Sequence, residues 1–214
     1  MPDSLDTAAL AARFRAAAQH IRAHIDRLSA LDAAVGDGDH GATMARVCDA
    51  IQATVDRQAA DSPAALCGAI GWAVMCTDGG STSPLLGSFF AGMEDGLSAW
   101  QGPLTSQALG AAFAAGLKNL RLQTPAMPGD KTMVDALVPA VEALHQAAAA
   151  GQPPVAALAA AAAAAEAGAE ATRPLKAAFG RARNLGDRTV GHLDPGACSV
   201  ALFFAGLAAG AEAP

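Results

Sequence analysis

From Leu10 onward the apolar positions Phe14, Ala17, Ile21, Ile25 and Leu28 recur every three or four residues, one face of an amphipathic helix, with Asp3, Ser4 and Asp6 as cap candidates ahead of it. The pattern predicts a first helix that ends near Ala30. Glycines between Gly36 and Gly41 interrupt the period, which resumes at Met44, Val47, Ile51 and Val55, so the stretch between is predicted as a helix-to-helix loop. The same reading gives helices near 63–77, 83–99, 105–122, 131–149, 154–178 and 195–210, eight in all, with Gly, Pro, Ser or Asp at most junctions. The alanine-rich run from Val155 to Ala171 reads as an ordered helix rather than a linker, because alanine is the best helix former and Pro153-Pro154 suits a helix start. No repeat period and no long structureless stretch divides the chain, so residues 1–214 are expected to form one helical domain.

Composition strengthens the all-α expectation: aromatic residues make up 4 % of the chain and tyrosine is absent, which leaves strands few of their favoured residues. The formal net charge of -6 argues against a nucleic-acid backbone or an anionic membrane as partner. A phosphorylated ligand therefore needs a metal or a local basic group. Cys48, Cys67, Cys76 and Cys198 form no C-x-x-C pair and sit in apolar helical stretches, so buried reduced thiols are expected. The N-terminus has no basic flank or apolar core of a secretory signal, and the alanine run is too short and too poor in large side chains to span a bilayer. A soluble cytoplasmic protein is the expectation.

The chemistry concentrates between Leu31 and Gly41, where Asp32, Asp37 and Asp39 lie within a few positions of each other and glycines separate two of them. Carboxylates this close repel unless a cation joins them, and hard oxygen ligands suit magnesium. Gly36-x-Gly38-x-x-Gly41 formally matches a dinucleotide fingerprint, but a helical pattern precedes it where that motif needs a strand. An EF-hand fails as well, because counting from Asp37 puts Gly41, Ala42 and Cys48 at positions that need an acid, a glycine and a bidentate acid. A solvated acidic turn is the plainer alternative.

Three further tracts bear on it. Asp78 to Gly87 places Ser81, Thr82 and free backbone amides ahead of a helix opened by Pro84, which suits an anion or an ordinary cap. Pro128-Gly129-Asp130-Lys131-Thr132-Met133 lacks the glycine spacing of a P-loop, and Lys131 is open to pairing with Asp130, Asp135 or a phosphate, a surface ion pair being the simplest case. In the last tract positive charge gathers at Arg181, Arg183 and Arg188, and Asp194-Pro195 reads as an N-cap followed by a first-turn proline. His40 and His192 are each open to a catalytic or a hydrogen-bonded structural role. No Ser, Cys or His sits in a convincing nucleophile and base pair.

Taken together, from about Asp32 to Ser199, these tracts resemble the L subunit of bacterial dihydroxyacetone kinases, itself similar to the C-terminal nucleotide domain of single-chain dihydroxyacetone kinases. The matching pieces are Leu31-Asp32, Gly36-Asp37-Gly38-Asp39-His40-Gly41, Gly79-Gly80 with Pro84 and Gly87, Gly129 to Met133, Gly180-Arg181, and Gly191-His192 with Asp194 to Ala197. The resemblance implies an eight-helix antiparallel barrel with a nucleotide site in the loops at one end. It assigns Asp32, Asp37 and Asp39 to two magnesium ions. It also assigns His40, Gly41, Ala42, Thr43, Ser81, Thr82, Met133, Arg181, Asp194, Pro195 and Gly196 to ADP or ATP. Phosphoryl transfer then runs to a keto-sugar held on a separate K subunit, either from ADP recharged by a phosphohistidine carrier of the phosphotransferase system or from exchanging ATP. A kinase subunit for another short ketose, a non-catalytic nucleotide-sensing module and a homodimer stay open. The chain departs from the family pattern at Thr43, where Asn is typical, at Val47, where glycine is typical, and at Ser81-Thr82-Ser83, which replaces Ala-Ser-Gly.

Overall fold

The structure is a computed structural model and describes residues 3–57 and 61–210. Nine α-helices follow one another among these residues: α1 (Thr7–Arg22), α2 (Ile25–Val35), α3 (His40–Arg57), α4 (Pro63–Met75), α5 (Thr82–Leu97), α6 (Ser106–Arg121), α7 (Val134–Ala149), α8 (Pro154–Ala171) and α9 (Pro195–Ala209). A 3-10 helix, Ala182–Thr189, lies between the last two, and the only pairing of extended backbone among the described residues is one bridge between Leu5 and Leu104. The all-α expectation holds.

Side-chain caps set several of the starts. Asp6, Ser62, Thr105 and Asp194 each accept a hydrogen bond from the amide three residues on, opening α1, α4, α6 and α9. Each of eight helices packs on the next in the order α1, α3, α4, α5, α6, α7, α8, α9, and α9 packs back on α1 to close a ring, while α2 lies outside it against α3 and α9. Phe14, Phe90, Phe113 and Phe204 are fully buried inside, meeting one another and Phe89 and Phe203 edge-on, tilted or, for Phe14 on Phe203, stacked, at centroid distances of 5.5 to 6.3 Å. The alanine run is ordered as α8, whose buried Ala157, Ala161 and Ala165 repeat every fourth residue and let α7 and α9 approach closely.

Three predicted boundaries are corrected. The single helix expected from Leu10 to about Ala30 breaks at Ala23-His24, and α2 continues to Val35, so Asp32 stands on a helix rather than in a loop. The apolar period runs unbroken across the junction, with Ile21 buried in α1 and Leu28 in α2, which hides the change of direction. The loop expected up to Gly41 closes at Asp39, since His40 and Gly41 already belong to the first turn of α3. The helix expected to reach residue 178 stops at Ala171, just ahead of Pro174, which has no amide to continue it. The cysteine expectation holds for buried Cys48, Cys67 and Cys198, whereas Cys76, at the C-terminal end of α4, is exposed. Burial pushes the Cys48 and Cys67 thiols up to about 12, so both are inert at neutral pH. Among the described residues no helix is long and apolar enough to cross a membrane.

Candidate functional site

Alternation around the ring brings the N-termini of α3, α5, α7 and α9 to one end, together with the C-terminus of α2. A cavity of about 850 Å³ opens there, of the size a nucleotide needs. Four helix N-termini turn the positive ends of their dipoles to it, so the cavity favours anions before any side chain is considered.

Against that background stand three carboxylates. Asp32, on the last turn of α2, and Asp37 and Asp39, in the turn that follows, offer oxygens that all lie within 4.8 Å of one another. The Asp32 carboxylate also accepts from the His40 amide at 3.2 Å, which fixes it against the first turn of α3. Two glycines make the turn possible. Gly38 has φ +79°, outside the range comfortable for a side chain, and a Cβ on Gly41 would strike the Ser29 hydroxyl and the Ile25 carbonyl of α2. Hard, clustered oxygens half open to solvent fit a divalent cation, and here the Arg181 guanidinium supplies the positive charge, paired with Asp37 and 3.5 Å from Asp39.

Most of the residues singled out in the sequence converge on this cavity. Asp32, Asp37, Asp39, His40, Thr43, Ser81, Thr82, Met133, Arg181, Asp194, Pro195 and Gly196 all line it. Gly41 and Ala42 do not: Gly41 faces α2, Ala42 faces solvent, and only their position in the first turn of α3 ties them to the site. The histidines part company. His40 is buried, its Nε2 is 3.2 Å from the Ser199 hydroxyl, and burial lowers its pKa despite the opposing charge of Asp32, so it is a neutral bridge between α3 and α9. The His192 ring is exposed and does not line the cavity.

Lys131 corrects the surface-pair expectation. It is 2 % exposed, and its ammonium donates to the carbonyls of Thr172, at 2.7 Å, and His192 rather than to either nearby aspartate. Asp194 caps α9, accepting from the Ala197 amide at 2.7 Å. Burial pushes its carboxyl up to about 7, against the pull of that amide and of Lys131.

Sequence reasoning missed Arg46, Asp78, Gln123, Thr124 and Phe179, which also line the cavity. Arg46 donates to the Thr43 hydroxyl at 3.1 Å and to the Asp78 carbonyl at 2.5 Å, tying α3 to the loop before α5. Its spacing of three residues from Thr43 on a helix was the signal available. Gln123, Thr124 and Phe179 come from connections that only the closed ring brings together.

The fold and the cavity define an all-helical barrel that gathers carboxylates and helix N-termini at one end. Residues 34–209 match the DAK2 domain, and the chain belongs to that family. It is 36 % identical over 178 residues to the ADP-binding subunit DhaL of PEP-dependent dihydroxyacetone kinase 1 from Listeria innocua, covering 83 % of each chain. It is 36 % identical over 185 residues to the corresponding subunit from Escherichia coli, covering 86 % of this chain and 88 % of that one. The crystal structure of the dihydroxyacetone kinase from C. freundii in complex with AMP-PNP and Mg2+ superposes with a TM-score of 0.72 at 31 % identity, over 94 % of this chain and 33 % of the longer one.

Proposed function

We propose that this chain is the nucleotide-carrying subunit of a dihydroxyacetone kinase, holding ADP or ATP with magnesium and delivering a phosphoryl group to a keto-sugar bound on a partner K subunit. The observation that carries this reading is the convergence of Asp32, Asp37 and Asp39 with four helix N-termini on one cavity. The carboxylates suit divalent cations and the helix N-termini suit phosphates, which is the combination a metal-bound nucleotide requires.

In this reading Asp32, Asp37 and Asp39 hold two magnesium ions, which when bound neutralise phosphate oxygens and polarise the transferring group. The chain's own residues bind and orient. First-turn amides of α3, α5 and α9 take phosphate oxygens, with Thr43, Ser81 and Thr82 supplying hydroxyls and Gly196 giving close approach to the backbone. Arg181, paired with Asp37, would be free to hold phosphate where a cation takes its place on the carboxylates. Met133 and Phe179 offer apolar surface on which a base can lie. His40, neutral and hydrogen-bonded, keeps the α3 and α9 termini in register. No covalent intermediate on this chain is invoked, so positioning and preorganised charge provide the rate.

We further propose that ADP stays bound and is recharged by a phosphohistidine carrier, as the words PEP-dependent and ADP-binding in the names of both subunit relatives suggest. Native mass spectrometry of the purified chain with magnesium tests both levels. Co-purifying ADP that accepts phosphate from the carrier is expected. Absence of retained nucleotide, with no ADP or ATP binding by calorimetry, overturns the nucleotide assignment, and ATP exchanged on every turnover overturns only the recharging step.

A further inference from the structure

Three lysines occur in the chain, and Lys131 alone of them is buried. It is also the one non-glycine residue with positive φ among the described residues, at +59°. Both features are costly, since a left-handed conformation strains a residue with a Cβ and a buried ammonium loses its water. A lysine serving only as surface charge would need neither. No carboxylate compensates it by direct contact: Asp130 accepts from the Met127 amide, and Asp135 accepts from the amides of Gly129 and Thr132. What the ammonium holds instead is two backbone carbonyls far apart in the chain, those of Thr172 and His192.

Those two residues mark the ends of one strap. Between the C-terminus of α8 and the start of α9 the chain contains no α-helix, only the 3-10 helix Ala182–Thr189, and Arg181 stands exposed on it. Thr172 lies at the point where the strap leaves α8, and His192 lies two residues before the Asp194 cap of α9. The Asp194 amide donates to the Thr172 hydroxyl at 2.9 Å, and the Gly191 amide donates to the Arg173 carbonyl at 2.8 Å, so the two ends meet beside the ammonium. One further bond, from the Ala178 amide to the Asp130 carbonyl at 3.1 Å, brings the near half of the strap onto the residue adjoining Lys131.

We propose that Lys131 is a positioning residue that clasps both ends of the strap and so sets where Arg181 meets Asp37 and Asp39. This rests on the nucleotide-carrying reading, in which Arg181 faces phosphate. Lys131 also lies three residues before Val134, the start of α7, and Gly196 in the first turn of α9 lies against Met133, so the same ammonium joins the strap to the place where the α7 and α9 termini meet. A methylene stem alone would fill the space without joining the two carbonyls.

The clasp is tested first in the unaltered chain without nucleotide, labelled with 15N-lysine. One ammonium resonance shielded from water exchange is expected, absent in Lys131→Met, because Lys118 and Lys176 are exposed. Hydrogen exchange of amides over 173–193 is expected to rise about tenfold in Lys131→Met, with the first turns of α3 and α5 unchanged. Nucleotide affinity is expected to fall about tenfold in Lys131→Met, with partial recovery in Lys131→Arg. Adding Arg181→Ala to Lys131→Met should cost less than about twofold more, since both act through one contact. No shielded ammonium, unchanged strap exchange, or losses that multiply overturns the clasp. If Lys131→Met does not fold, the resonance in the unaltered chain decides. If that chain binds no nucleotide, the function reading falls, while the resonance and the exchange still judge the clasp.

Discussion

One part of the cavity wall is made of helix ends, and another is a strap from Thr172 to Asp194 with no α-helix in it. On the helical wall Asp32 is fixed by the His40 amide, His40 by Ser199, and Arg46 joins α3 to the loop before α5. On the strap, Arg181, Arg183 and Arg188 are exposed, and the length is held by backbone bonds, the buried Thr172 and Thr189 hydroxyls, the Lys176–Asp187 pair and one buried ammonium. The difference teaches where stiffness is placed. The carboxylates that converge on one point sit at the end of α2 and in the short turn leading into α3, tied by the His40 amide to a helix of the barrel. The Arg181 cation that pairs with those carboxylates sits on the part without α-helix.

The comparison breaks most completely at its rigid side. Asp37→Ala is expected to lower magnesium-dependent nucleotide retention by about a hundredfold or more while helix content stays intact, read by calorimetry and circular dichroism. Unchanged binding would remove the metal assignment. Gly41→Val attacks the same wall through packing: the added carbons meet α2, and a loss of about 2–4 kcal/mol is expected, with a fall of several degrees in the melting temperature. On the strap, Arg181→Ala is expected to weaken nucleotide about tenfold with the melting temperature nearly unchanged, because its partners are solvent-exposed. A melting temperature lowered as far as in Gly41→Val would show that the strap is as structural as the helices.

The smallest effect sharpens the point where the two walls join. Asp194 has its folded pKa raised to about 7, mainly by burial, so its protonated form is favoured on folding. That contribution to stability is complete below the usual carboxylate pKa, near 4, and is lost as pH rises through about 7. Asp194→Asn caps α9 without titrating. The melting temperature of the unaltered chain should therefore fall relative to that of Asp194→Asn between pH 4 and 8, by a few degrees. Parallel curves for the two proteins would show that Asp194 is charged throughout.

Much of this was legible in the residues. The acidic cluster was readable because its three carboxylates lie close in sequence, and short-range geometry alone brings them together. The helices were readable from the stop signals at most junctions and, in α1 and α3, from an apolar period, while their closure into a barrel came from the resemblance alone. The bend between α1 and α2 was not, since Ile21, Ile25 and Leu28 keep helical spacing through a change of direction that only packing on α3 and α9 decides. Lys131 was misread for the opposite reason: its neighbours Asp130 and Asp135 suggest a surface pair, and the carbonyls it holds are 41 and 61 residues away. Arg46 and Phe179 belong to no motif and become site residues through topology.

The closing of α9 on α1 has a consequence for how the domain can be joined to others. The two helices run antiparallel, with Gly206 against Ala17 and Gly210 against Arg13, whose guanidinium also donates to the Leu207 carbonyl at 2.5 Å. Since α9 begins at the cavity, its C-terminal end and the N-terminal end of α1 both lie at the remote end of the barrel, with α1 reaching beyond α9. A tether attached at either place leaves the mouth clear. The barrel is wired like a plug, with its leads at the back and its contacts at the front.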